Sequence, residues 1–220
     1  MGTSKASLML EGETLLARTV RIVGSAVSRV VVASRVGRSL PELPGDVEIV
    51  HDRRGHEGPL AGLASGLGAL ALACAPGASP APASLLTKGG LQGGSYLAGG
   101  AESGSGELSA PCDAAFVVPC DHPRLKVELV RRMIELLKDE PGVVIEHEGI
   151  VQPLVGVYRL TTKKLLDELL TSGERRAHVF VERCGARVIS SEQLRNVDPQ
   201  LESLRNVNDP DDLRRLGDSA

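Results

Sequence analysis

The sequence predicts an α/β domain of three layers, a mostly parallel sheet between helices, and two observations point to it. Short apolar runs rich in β-branched residues alternate with segments whose apolar residues recur at helical spacing. Two of those runs also end in an aspartate followed by a turn and a helix, the arrangement of strand exits in parallel sheets.

Taken in order, residues 13–27 (ETLLARTVRIVGSAV) place Leu16, Val20, Val23 and Val27 at helical spacing. Residues 29–33 (RVVVA) read as a buried strand, too short and too β-branched for a helix. A turn bearing Pro and Gly at 41–45 leads to a second short strand at 47–50. The loop HDRRGHEGP then opens a helix of small residues from about Leu60 to Ala73. Residues 75–111 break the rhythm. They are rich in Pro, Gly, Ala and Ser, offer little that could form a core, and read as a flexible surface insertion.

The alternation resumes with a buried strand at 114–118, which runs into Pro119-Cys120-Asp121-His122-Pro123. A helix over 124–138 buries Leu125, Leu129, Met133 and Leu136. Strands at 143–145 and 152–158 are joined by too short a connection for a crossover helix, so the pair is expected to be antiparallel. Helices at 161–172 and 174–184, a strand at 187–189 and a last helix from Pro210 complete one domain over residues 1–220, interrupted by the 75–111 insertion.

Composition excludes several classes of function. The 220 residues are 42% hydrophobic and 24% charged, values of a soluble globular protein. Aromatics make up 2% with no Trp, so the core is built from Leu, Val, Ile and Ala, and a stacking surface for single-stranded nucleic acid is not expected. The formal net charge of -3 draws the protein to neither DNA nor an anionic membrane. No apolar run approaches the roughly 20 residues that span a bilayer. Cys74, Cys112, Cys120 and Cys184 form no CxxC pair and lack histidines at zinc-finger spacing. Free thiols in a reducing cytoplasm are the expectation.

Asp121 is the strongest candidate for chemistry. A carboxylate at the carboxyl end of a buried strand can hold Mg²⁺ while phosphates and waters complete the shell, or it can cap the helix that follows. Asp52 repeats the arrangement after the strand at 47–50. Gly55, Gly58 and Gly62, with Pro59, then let backbone approach a ligand and start a helix whose N-terminus favours negative charge, or form an ordinary turn. Lys5, three residues after Gly2, is either solvated surface or a cation that neutralises triphosphate charge during nucleotidyl transfer, although it lies in no Walker A motif. Asn206 and Asn208 share one side of an extended segment, to bind a polar substrate edge or to cap the helix at Pro210. His51, His56, His122, His147 and His178 are scattered and show no hydrolytic triad. Amides and single carboxylates suit a reaction governed by positioning and metal electrostatics.

Taken together these segments resemble the molybdenum cofactor guanylyltransferases. MGTSKASLMLEGETLL is similar to that family's Met-Gly, two residues, Lys-Ala segment, and HDRRGHEGPLAGLASGL to its Asp-loop-Gly-Pro-Leu-x-Gly motif. FVVPCDHPRL resembles its strand ending in Cys-Asp-x-Pro, and VQPLVGVYR its His/Gln-Pro-Leu strand. NVDPQLESLRNVNDPDDL resembles its closing Asn-x-Asn-Thr-Pro segment, with Asp209 in place of Thr.

The resemblance implies a Rossmann-like nucleotidyltransferase domain that transfers GMP from GTP to molybdopterin in a Mg²⁺-dependent reaction and releases pyrophosphate. It implies that Lys5 and Asp52 contact GTP, and that Asp121 binds Mg²⁺ and the nucleotide. Gly58, Pro59, Leu60 and Gly62 would shape the nucleotide pocket. Gln152, Pro153, Asn206 and Asn208 would lie on the molybdopterin side. Other proteins of molybdenum cofactor biosynthesis, or acceptor proteins, are the implied partners. A cytidylyltransferase, a sugar-phosphate nucleotidyltransferase and an inactive nucleotide-binding relative are the alternatives.

The family opens with a strand and a Leu-Ala-Gly-Gly-x-Ser-x-Arg loop directly before Met-Gly, whereas Met1 falls at the motif's internal Met. The domain is accordingly expected to lack that strand and most of that phosphate-cradling loop. Leu97-Ala98-Gly99-Gly100 is similar to the loop's opening. It lacks an apolar strand before it and the Arg-Met-Gly after it, and reads as a coincidence of low complexity.

Overall fold

The computed structural model describes residues 4–43, 47–52, 58–73, 95–99 and 113–217. Near its start a short 3₁₀ turn, Lys5–Ser7, precedes a small antiparallel hairpin of β1 (Met9–Leu10) and β2 (Glu13–Thr14). Helix α1 (Leu15–Gly24) follows directly, because Thr14 caps it by accepting a 3.2 Å hydrogen bond from the Ala17 amide. The first two residues of the predicted 13–27 helix therefore belong to the hairpin.

The main sheet contains β3 (Arg29–Arg35), β4 (Glu48–Asp52), β5 (Ser95–Gly99), β6 (Ala114–Pro119), β7 (Gly142–His147), β8 (Ile150–Arg159) and β9 (Arg187–Ser190). Their spatial order is β4-β3-β5-β6-β8-β7-β9. Strands β3, β4, β6, β7 and β9 point one way and β5 and β8 the other, which is the mostly parallel sheet expected. The β7–β8 hairpin is antiparallel, as its short connection requires.

Both faces of the sheet are covered, which accounts for its near-continuous apolar strands. Successive side chains alternate between two cores. Val30, Val32, Phe116, Val118, Val143 and Ile145 pack with α1 and α3 (Val127–Leu136) on one face. Val31, Ala115, Val117 and Val144 pack on the other with α2 (Pro59–Ala73), α4 (Lys163–Thr171) and α5 (Ala177–Cys184). These are the three layers. At the hairpin, Gly156 lies so close to β7 that a Cβ there would meet the Val143 carbonyl oxygen at 2.5 Å.

One element was not expected. Residues 95–99, inside the 75–111 stretch, form a strand between β3 and β6, antiparallel to both. The rest of that stretch, with Cys74, Cys112, Gly55 and His56, lies outside the described residues. The sequence SYLAG carries too little apolar character to announce a central strand; pairing on both sides defines it. Gly99 pairs with Ala115, at the amino end of β6, so Leu97-Ala98-Gly99 ends on the edge opposite to Asp121.

A third, smaller cluster gathers Leu8, Leu15, Val207 and Leu213, the last on α6 (Pro210–Gly217). It packs the first described residues against the last.

Candidate functional site

The carboxyl ends of β3, β4 and β6 share one edge of the sheet, and most of the sequence-nominated residues meet there or beside it. Asp121 stands just beyond β6 with 9% of its surface exposed. Lys5 reaches it from the opening 3₁₀ turn, its Nζ 3.0 Å from Asp121 Oδ2. The same ammonium donates to Asn208 Oδ1 at 3.1 Å. The Val207 amide donates to the Asp121 carbonyl at 2.8 Å, which lays the 206–208 segment along the strand exit. Three segments far apart in sequence thus join in one cation–carboxylate–amide group. The small apolar cluster of Leu8, Leu15 and Val207 is what brings them within reach.

A second layer of contacts holds this group. Asp198 is fully buried; its Oδ1 accepts from Lys126 Nζ at 2.7 Å and its Oδ2 from the Ser203 amide at 2.8 Å. The Lys126 amide donates to Ser203 Oγ at 3.0 Å, and Arg124 donates to Glu202 at 2.5 Å. Residues 198–204 are in this way strapped to residues 122–126. Burial works against the Asp198 charge, but the hydrogen bonds from Lys126 and Ser203 prevail and hold its carboxyl below the usual range. The hydrogen bond to Asp198 correspondingly raises Lys126.

His122 is a residue that sequence reasoning missed. Its ring is 4% exposed, with Nδ1 3.0 Å from the Ser203 carbonyl oxygen and Nε2 3.8 Å from Asp121 Oδ1. Burial lowers its pKa against the opposing pull of the Asp121 charge, favouring the neutral imidazole. Its partners lie 81 residues on in the chain or next to it, so no motif spacing could have announced them; the only sequence signal is its adjacency to Asp121.

Asp52 ends β4 on the same edge, 5% exposed. Strands β3 and β5 intervene before β6, so Asp52 stands roughly 14 Å from the Asp121 strand, three strand spacings of about 4.8 Å. Gly58, with φ +81, turns the chain into α2 at Pro59. Leu60 is fully buried in the second core, and Gly62 faces Ala33 on β3, so both positions already serve helix–sheet packing. Gln152 and Pro153 lie early in β8, which runs against β6; the register Val117↔Gly156 puts them beside the exit of β6. Asn206 is exposed next to Val207.

Asp121 fits a hard divalent cation. Lys5 occupies Oδ2 and leaves Oδ1, while Mg²⁺ typically takes one or two carboxylates with phosphates and waters. Among the described residues no three His, Cys, Asp or Glu side chains cluster as a closed metal cage.

Residues 1–188 match the family of the MobA-like NTP transferase domain. A molybdenum cofactor guanylyltransferase of Desulfosudis oleivorans is 30% identical over 112 residues, 50% of this chain and 55% of that protein. A probable molybdenum cofactor guanylyltransferase of Methanothermobacter thermautotrophicus is 32% identical over 120 residues, 53% of this chain and 58% of that protein. The chain therefore spans little more than half the length of these curated relatives. Among solved structures, molybdopterin-guanine dinucleotide biosynthesis protein A from Archaeoglobus fulgidus superposes with a TM-score of 0.63 at 19% identity, over 96% of this chain and 87% of that one. That likeness establishes the fold, a Rossmann-like nucleotidyltransferase architecture.

Proposed function

The chain belongs to the MobA-like NTP transferase domain family, and on that premise we propose that it transfers GMP from GTP to molybdopterin with Mg²⁺. An oxygen of the molybdopterin phosphate attacks the α-phosphorus of GTP. The bond from that phosphorus to the oxygen bridging the α- and β-phosphates breaks, and pyrophosphate leaves with the electron pair. The observation that carries the reading is the convergence of Lys5, Asp121 and Asn208 at the carboxyl edge of the sheet. The names of the curated relatives support the choice of substrates.

In this reading the Lys5 ammonium neutralises charge that builds on the phosphates, and its bond to Asp121 keeps it extended towards them. Asp121 would hold the metal, which would supply further charge neutralisation at the phosphates. Asp52 and the α2 N-terminus with Gly58, Pro59, Leu60 and Gly62 form the nucleotide side. Gln152, Pro153, Asn206 and Asn208 form the molybdopterin side. Handover of the product to other proteins of cofactor biosynthesis or to acceptor enzymes follows from the same reading, as does a cytoplasmic site of action. Among the described residues no helix is long and apolar enough to cross a membrane.

The test is pyrophosphate release with molybdopterin as acceptor and a panel of GTP, CTP, ATP and UTP, with Mg²⁺ present. Release with GTP at least about tenfold faster than with the others is expected. Preference for CTP, or turnover only with a sugar phosphate, replaces the guanylyl reading by another transferase. Nucleotide binding without release under any condition replaces it by a non-catalytic role.

A further inference from the structure

Strand β8 leaves its ladder partway along. It pairs with β7 as Val144↔Gly156 and next as Ile145↔Gln152, so residues 153, 154 and 155 stand opposite no residue of β7. The register with β6 stops at Val117↔Gly156, short of the same residues. Proline has no N–H to give a ladder and in sheets is confined to edges and bulges, so Pro153 suits a departure of this kind inside a central strand. The bulge runs from Gln152, beside the exit of β6, to Gly156, where the Val143 carbonyl leaves no room for a Cβ.

One side chain fastens this bulge. The Tyr158 hydroxyl donates to the Pro153 carbonyl oxygen at 2.6 Å. Five residues of regular strand span roughly 17 Å, beyond the length of a phenol side chain, so the bond exists only because the chain folds back at 153–155. The ring is held in turn. It is fully buried, its centroid lies 5.1 Å from that of Phe180, and a Cβ on Gly142 would meet its Cδ1 at 2.6 Å. Burial pushes the phenol well above its usual range, which keeps the hydroxyl protonated as a donor. Packing against Phe180 and Gly142 would be served equally by phenylalanine; what the hydroxyl adds is its bond to the bulge.

We propose that Tyr158 is a positioning residue for the acceptor substrate: its hydroxyl fixes the 153–155 bulge and so sets Gln152 and Pro153 on the side that takes the phosphorylated pterin. The proposal deepens the nucleotidyltransferase reading and rests on it for the assignment of that side.

The experiment is calorimetry of the full chain and of Tyr158→Phe with molybdopterin and, separately, with GTP and Mg²⁺, beside urea unfolding of both proteins. Tyr158→Phe should weaken molybdopterin binding roughly 3–10-fold, the worth of one neutral hydrogen bond, and change GTP affinity less than about twofold. Added to Gln152→Ala, it should cost less than about twofold more, because both changes act through one segment. Unchanged molybdopterin affinity, equal weakening of the two ligands, or full additivity with Gln152→Ala overturns the proposal, whatever the urea midpoint does. Should Tyr158→Phe not fold, the wild-type chain carrying fluorotyrosine decides. The fluorine resonance of Tyr158, told from that of Tyr96 by Tyr96→Phe, should shift with molybdopterin and stay in place with GTP; the reverse, or no shift, overturns the proposal. The two readings fail separately. The expected affinities without pyrophosphate release from any nucleotide remove the guanylyl reading alone, whereas release with GTP and unchanged molybdopterin affinity in Tyr158→Phe remove the positioning role alone.

Discussion

The exits of β4 and β6 are written alike in sequence, each an apolar run closed by an aspartate, yet the molecule holds them differently. β6 has β5 and β8 on its flanks and is buried along nearly its whole length; β4 is an edge strand, half-buried until Asp52. Beyond β6, Asp121 receives the Lys5 ammonium through its side chain and the Val207 amide through its carbonyl. A buried strap from Asp198 to Ser203 braces the turn that follows it. Beyond β4, Asp52 leads towards Gly58 and α2, whose first turn is fastened to β3 by Leu60 and by the close approach of Gly62. The difference teaches that a strand-end carboxylate acquires its electrostatic setting from chain far away in sequence. The strand only brings it to the edge.

The largest effect should come from breaking the β6 exit. Asp121→Ala is expected to lower pyrophosphate release by roughly 10²–10³-fold, about 3–4 kcal/mol of transition-state stabilisation, with folding retained in circular dichroism. A loss under tenfold would place the chemistry elsewhere on the edge.

Next is the strap. Asp198→Ala removes a fully buried partner of Lys126 and of the Ser203 amide. It should cost about 3 kcal/mol in urea unfolding. The sign of its pH dependence follows from the lowered Asp198 carboxyl. Its contribution is present above the unfolded value of about 3.9 and is lost as pH falls through the lower folded value. The acid limb of the wild-type stability curve should therefore be steeper than that of Asp198→Asn. Parallel limbs would show that the strap stabilises without its charge.

Asp52→Ala sharpens the contrast from the other side. GTP affinity by calorimetry should fall about tenfold, roughly 1.4 kcal/mol, well short of the Asp121 effect. Equal losses at the two sites would erase the distinction between the exits. Smallest of all, Asn208→Ala removes one acceptor of the Lys5 ammonium while Asp121 keeps the other bond. A loss of about threefold in turnover is expected, and a loss approaching that of Asp121→Ala would make the amide a principal ligand.

Much of this architecture was legible in the chain. Helical spacing announced α1 and α3 with residues they bury, apart from Leu136, which stays only partly buried, and a run of small residues announced α2. β-branched runs announced β3, β6 and β7, and a short turn announced the antiparallel β7–β8 pair. Boundaries shifted by a few residues where capping decided them, as at Thr14. Lys5, Asp121 and Asn208 were nominated separately, by strand-end position and by motif, with no sign that they touch. His122, Asp198 and Ser203 were not nominated, because a hydrogen-bond partner some 80 residues distant leaves no local pattern.

Hydrophobic period and β-branching are local properties of the chain, so the sequence by itself determined the layers, the direction of most strands and the edge on which both aspartates emerge. The tertiary structure alone decided that residues 95–99 enter the sheet centre, since pairing with β3 on one side and β6 on the other defines that strand. It alone also decided that the two ends of the described chain meet at Asp121, through the packing of Leu8 and Leu15 on Val207. Contacts of that range exist only once the core has closed, and the electrostatics of the site depend on them.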